Sequence, residues 1–124
     1  MLNEQIKRLR YRLYLYGSYQ QEYQKKQREL HEKPSVDQEQ YLLYLRECIM
    51  NTHIEEALML LDEQELSLIE QRFIHNYTFE KMSMIYTMKE GIRRDKSQIY
   101  DDVEKALKHL LTILARIELP TRWS

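Results

Sequence analysis

The sequence predicts an all-α protein of about five helices, an N-terminal helical hairpin or extension followed by a helix-turn-helix unit. Three observations predict it. Two Gly and two Pro in 124 residues leave too few turn formers for an all-β fold, which needs a turn about every 8–12 residues. Apolar residues recur at steps of three and four, the period of one helix face, along most of the chain. Charged residues make up 31% and hydrophobic ones 43%, the balance of a soluble helical protein rather than a disordered one. The length suffices for one hydrophobic core without staples. A single cysteine, Cys48, excludes an internal disulfide and a thiolate-cluster metal site. No apolar run approaches the roughly 20 residues of a membrane span. The opening MLNEQIKRLR has no signal-peptide apolar region. A cytoplasmic chain with no membrane partner is expected.

The first helix is predicted from Met1 to about Glu32. Leu2, Ile6, Leu9, Leu13, Tyr16, Tyr23 and Leu30 fall on a heptad-like seam, which Tyr11, Tyr14, Leu15 and Tyr19 widen. A helix this long cannot bury such a face alone, so it packs on the following helix, on a second copy or on a partner. Gly17–Ser18 is a place for a kink or an end. The tyrosines between Lys7, Arg8, Arg10 and Arg12 suit half-buried packing better than base stacking. Pro34 ends this helix, and Ser35 or Asp37 can cap the next. There Tyr41, Leu45, Cys48, Ile49 and Thr52 give one face, with Ala57, Leu58, Leu60 and Leu61 thickening it and an interruption at Asn51 to His53.

Asp62 followed three residues later by Glu65 has capping-box spacing, and Leu66, Ile69 and Phe73 continue the helix. Thr78 caps a short helix faced by Phe79, Met82 and Ile85, which Gly91 interrupts. The last helix starts near Asp95 or Ser97 and carries Ile99, Val103, Ala106, Leu110 and Leu114 as its inward stripe. Its other side begins with Lys96, Gln98 and Tyr100, behind Arg93 and Arg94. Cations, amide side chains and free backbone N–H groups at a helix N-terminus are what a DNA major groove takes. The chain thus divides into a packing or oligomerisation segment over residues 1–60, a helix-turn-helix unit over 61–119 and a tail over 120–124.

The C-terminal half resembles the region-four helix-turn-helix of bacterial sigma factors, and more closely the phage and prophage regulators of the ArpU and RinA type. Leu66, Ile69, Arg72 and Phe73, the run Tyr77 to Met82, and Ser97 to Tyr100 leading into Ala106, Leu107 and Leu110 carry the resemblance. It implies a transcriptional regulator that binds double-stranded DNA sequence-specifically. Arg93, Arg94 and Lys96 would contact phosphates, Ser97, Gln98 and Tyr100 would read base edges, and Thr78 and Lys81 would touch the flanking backbone. The connection Thr87 to Arg94 is longer than the turn of about four residues that such units use. Asp101, Asp102 and Glu104 early in the last helix would repel phosphates.

Net charge is only −1, but residues 1–33 carry +4, residues 34–64 carry −6 and residues 93–124 carry +2. Such a chain can turn a positive face to DNA while staying near neutral overall. An enzyme is not expected. His53 and Glu56 stand at metal-pair spacing, but no second such motif faces them, and Gly17 and Gly91 stand alone rather than in a phosphate loop. No cofactor or metal is implied. Two other classes fit the pattern. One is a helical interaction module for RNA polymerase, another regulator or a host protein, and the other a small-terminase-like packaging subunit. A homodimer through the N-terminal helices and a partner anchor at Trp123 are further expectations.

Overall fold

The computed structural model describes residues 2–118, and the tail with Trp123 lies outside them. Among the described residues there are six α-helices and no strand. They are α1 (Leu2–Glu32), α2 (Val36–Asn51), α3 (Ile54–Leu58), α4 (Glu63–Ile69), α5 (Phe79–Glu90) and α6 (Lys96–Glu118). The sixth arises because the segment after Pro34 is two helices. Thr52 ends α2, its hydroxyl bonding back to the Ile49 carbonyl at 2.6 Å. His53 then takes a left-handed φ of 59° and α3 starts on a new axis.

One hydrophobic core joins both halves of the chain, from Ile6 to Leu114. Ile6, Leu9, Leu13 and Tyr16 of α1 lie in it, so the seam of the first helix is filled by the chain's own later helices. Tyr19 and Tyr23 pack half-buried at its edge, and the Tyr14 ring meets Phe73 edge-on at 5.3 Å. The helix α6 is the central rod, with Ile99, Val103, Ala106, Leu107, Leu110, Ile113 and Leu114 all buried along one stripe. Burying a Leu or Ile fully is worth about 1.5–3 kcal/mol, so this stripe is the largest single contribution of any helix here.

Gly17 neither kinks nor ends α1. The helix runs through it because tertiary packing, not local propensity, decides there: an added Cβ would collide with the Phe73 carbonyl oxygen. The glycine lets α1 seat directly on the backbone of residues 70–74. That stretch continues α4 as one wider π turn, in which the His75 N–H reaches the Glu70 carbonyl at 2.9 Å. The capping box at the head of α4 forms as the spacing predicts: the Glu65 N–H donates to Asp62 Oδ1 at 2.8 Å and the Asp62 N–H to Glu65 Oε1 at 3.3 Å. Asn76 (φ 57°) turns the chain into α5, and Thr78 caps it by accepting the Lys81 N–H at 3.1 Å.

The connection between α5 and α6 is shorter than the sequence predicts. Thr87 to Glu90 belong to α5, where the Thr87 hydroxyl bonds the Ser83 carbonyl of the preceding turn (2.9 Å). Gly91, at φ 71°, closes the helix with its N–H on the Thr87 carbonyl. Only residues 91–95 remain as turn, close to the length that a helix-turn-helix uses.

Candidate nucleic-acid interface

The turn into α6 is held by side chains at both ends. Asp95 accepts the Gln98 N–H at 3.0 Å and the Ser97 hydroxyl at 2.7 Å, while its own N–H donates to Gln98 Oε1 at 3.0 Å. This is a second capping box, with Gln98 in the place Glu65 has on α4. The Gln98 N–H first, then the Ser97 hydroxyl, hold the Asp95 carboxyl below the usual carboxylate range. One residue earlier, the Arg94 carbonyl takes the Ser83 hydroxyl from α5. The Arg94 guanidinium lies on the Asp102 carboxylate through two bonds, of 2.5 and 2.7 Å, which raise its pKa further.

These bonds assign different work to the predicted site residues. Arg93 and Lys96 are exposed and take part in no ion pair among the described residues, so both cations are available to a phosphate. Arg94, expected at a phosphate, is instead half-covered and neutralised by Asp102, and its fork braces the turn. Gln98 gives its amide oxygen to the cap. A bidentate contact to adenine needs both that oxygen and the NH2 group; the cap holds the oxygen toward Asp95, and the NH2 group takes part in no hydrogen bond among the described residues. The Ser97 hydroxyl points back to Asp95.

Tyr100 is 44% exposed, and its ring stands edge-on to Phe79 at 5.4 Å. Phe79 is in turn covered by the Arg72 guanidinium, 4.2 Å from the ring centre, whose Nη1 also holds the Tyr77 carbonyl at 2.9 Å. Arg72, Phe79 and Tyr100 thus tie the starts of α5 and α6 to each other and to the turn before α5. Lys81 is exposed, its Nζ 4.0 Å over the Tyr77 ring, where a modest cation–π attraction holds it on the same side. Lys81, capped by Thr78, is thus linked to Tyr100 through Tyr77, Arg72 and Phe79, and Arg93 to Gln98 form the turn before α6.

The acids at the head of α6 are largely answered. Asp102 is paired with Arg94, and Glu104 with Arg10 from α1, which leaves Asp101 exposed on the outer side. The Arg10–Glu104 pairing was not legible locally, since Arg10 lies 94 residues from its partner. The signal for the second box was the Asp95–Gln98 spacing, which repeats that of Asp62 and Glu65, although the resemblance sends Gln98 to a base edge.

Away from this end, His53 and Glu56 approach to 3.9 Å, and no group of three or more metal-ligating side chains occurs among the described residues. No helix among them is long and apolar enough to cross a membrane. Comparison with known proteins finds no matching family model, no matching curated protein and no matching solved structure.

Proposed function

We propose that the chain is a sequence-selective double-stranded DNA-binding regulator of transcription, of the sigma-region-four-like kind found in phage and prophage regulators. The observation that carries it is the α5–α6 end. Two helices packed on each other, with Met82 and Ile99 buried, are joined by a five-residue turn with a capped α6 N-terminus, from which Arg93 and Lys96 project with no ion pair among the described residues. Exposed cations that join no ion pair among the described residues, gathered at one helix end, match a phosphate-lined groove. In this reading Arg93 and Lys96 contact phosphates, Lys81 and Thr78 border the flanking backbone, and Tyr100 with the Gln98 NH2 group meets base edges. Arg94 acts indirectly, by fixing the turn.

Selection of bound duplexes from a random-sequence pool at about 150 mM salt, where non-specific contacts are weak, tests this. Enrichment of one motif, lost in the Arg93→Ala/Lys96→Ala double variant, is the expected result. A well-folded protein that enriches nothing would favour the interaction-module reading instead.

A further inference from the structure

Nothing among the described residues covers the outer side of α2. Val36, Leu43 and Met50 follow at seven-residue steps, which keeps them within about 40° of one another around the helix. They lie on the side away from the buried Leu45 and Ile49. They are 67%, 71% and 58% exposed, and the stripe they form is about 21 Å long at the helical rise. A single exposed Leu is ordinary, whereas an apolar row in register along one helix marks a contact surface.

The charges that α2 itself leaves outside any ion pair among the described residues are all acidic. Asp37, Glu39 and Glu47 are exposed and take part in no ion pair among the described residues. The one cation of α2, Arg46, is committed to Glu55 through bonds of 2.8 and 3.0 Å. This selects the occupant. Nucleic acid and anionic lipid surfaces are repelled, and a second α2 would bring Glu39 and Glu47 against their own copies. An apolar stripe of the same pitch, flanked by cations, satisfies both the row and the acids.

We infer that the outer face of α2 is a docking surface for a cationic amphipathic helix of another protein. The docked helix is about four turns long, sets its apolar residues against Val36, Leu43 and Met50, and places Lys or Arg opposite Asp37, Glu39 and Glu47. This surface is separate from the α5–α6 end and does not depend on DNA binding.

The test uses the full chain and a labelled synthetic helix of about 20 residues, with leucines at heptad spacing and lysine flanks, followed by fluorescence anisotropy. Saturable one-to-one binding is expected. Leu43→Ser should weaken it about tenfold, as for a central interface residue, and Glu39→Lys/Glu47→Lys should weaken it comparably. Met88→Ser, at an exposed apolar site on α5, should leave it unchanged. Because Leu43 projects into solvent, circular dichroism and melting of its variant should match the parent. The same peptide with glutamate flanks should bind at least about tenfold more weakly. Three results would overturn the proposal: no binding, equal binding by the Leu43→Ser chain, or a parent dimer in sedimentation that Leu43→Ser dissociates. The last would make a second copy the occupant.

Discussion

The helices α6 and α2 both carry apolar residues along their length, gathered on one face in α6 and spread around the helix in α2, and they end in opposite states. In α6, seven residues of 23 are buried, whereas in α2 only Leu45 and Ile49 of 16 are. The difference lies in the neighbours. α1, α3, α4 and α5 all pack around α6, while α2 lies against α1 and α3. The helix starts differ too. Asp62, Thr78 and Asp95 each accept a backbone N–H of their helix, but Ser35 at the head of α2 makes no such bond. One part of the chain thus has its polar groups tied to one another, and the other keeps an apolar row and its acids turned to solvent. Stability should therefore reside in the C-terminal unit and its seat on α1, with α2 contributing recognition surface.

That contrast can be broken by substitution, starting where the effect is largest. Leu110→Ala, in the fully buried stripe of α6, should destabilise the chain by about 2–5 kcal/mol in denaturant melts, the usual range for such a cavity. A loss no greater than that of a surface change would show that α6 is not the central rod. Gly17→Ala should cost about 1–3 kcal/mol, typical of overpacking, since its methyl group meets the Phe73 carbonyl. If the variant were instead stabilised, as helix propensity alone dictates, the close seat of α1 would be wrong. Asp62→Ala should cost about 1 kcal/mol and Ser35→Ala only a few tenths, because only the first removes a capping bond; equal losses would remove the distinction between the two helix starts. Leu43→Ala should change stability by less than about 0.5 kcal/mol, and a larger loss would place Leu43 in a core contact.

Acid titration separates the regions further. The Asp95 carboxyl is held low by the Gln98 N–H and the Ser97 hydroxyl, so its folded pKa lies below its unfolded one. Its contribution is present above the unfolded value and disappears as pH falls through the folded one. The parent should lose stability relative to Asp95→Asn over that acid window, and parallel curves would contradict the cap.

Much of the fold was legible because it is local. The α6 stripe, the Asp62–Glu65 box, the Thr78 cap and the break at Pro34 are each written in residues a few positions apart. What was hidden depends on contacts distant in sequence or on competition between neighbours. Gly17 looks like a helix breaker until the backbone of Phe73 is seen against it. Thr87 to Glu90 look like part of the connection, yet the helix runs on to Gly91, whose N–H closes it on the Thr87 carbonyl. At the candidate interface the basic turn was legible, but the division of labour within it was not. Arg93 and Arg94 are adjacent and chemically identical, and only the position of Asp102 two turns into α6 makes one available and the other a brace. The seven-residue row on α2 was present in the sequence, yet its exposure follows only from where α1 and α3 lie.

The most direct measurement is a map of backbone amide NMR shifts as a DNA duplex containing the selected motif is added to the intact chain. The account predicts that the largest changes fall on residues 93–100 and 77–81, with α2 unmoved. Changes centred on α2, or spread evenly over the surface, would contradict it.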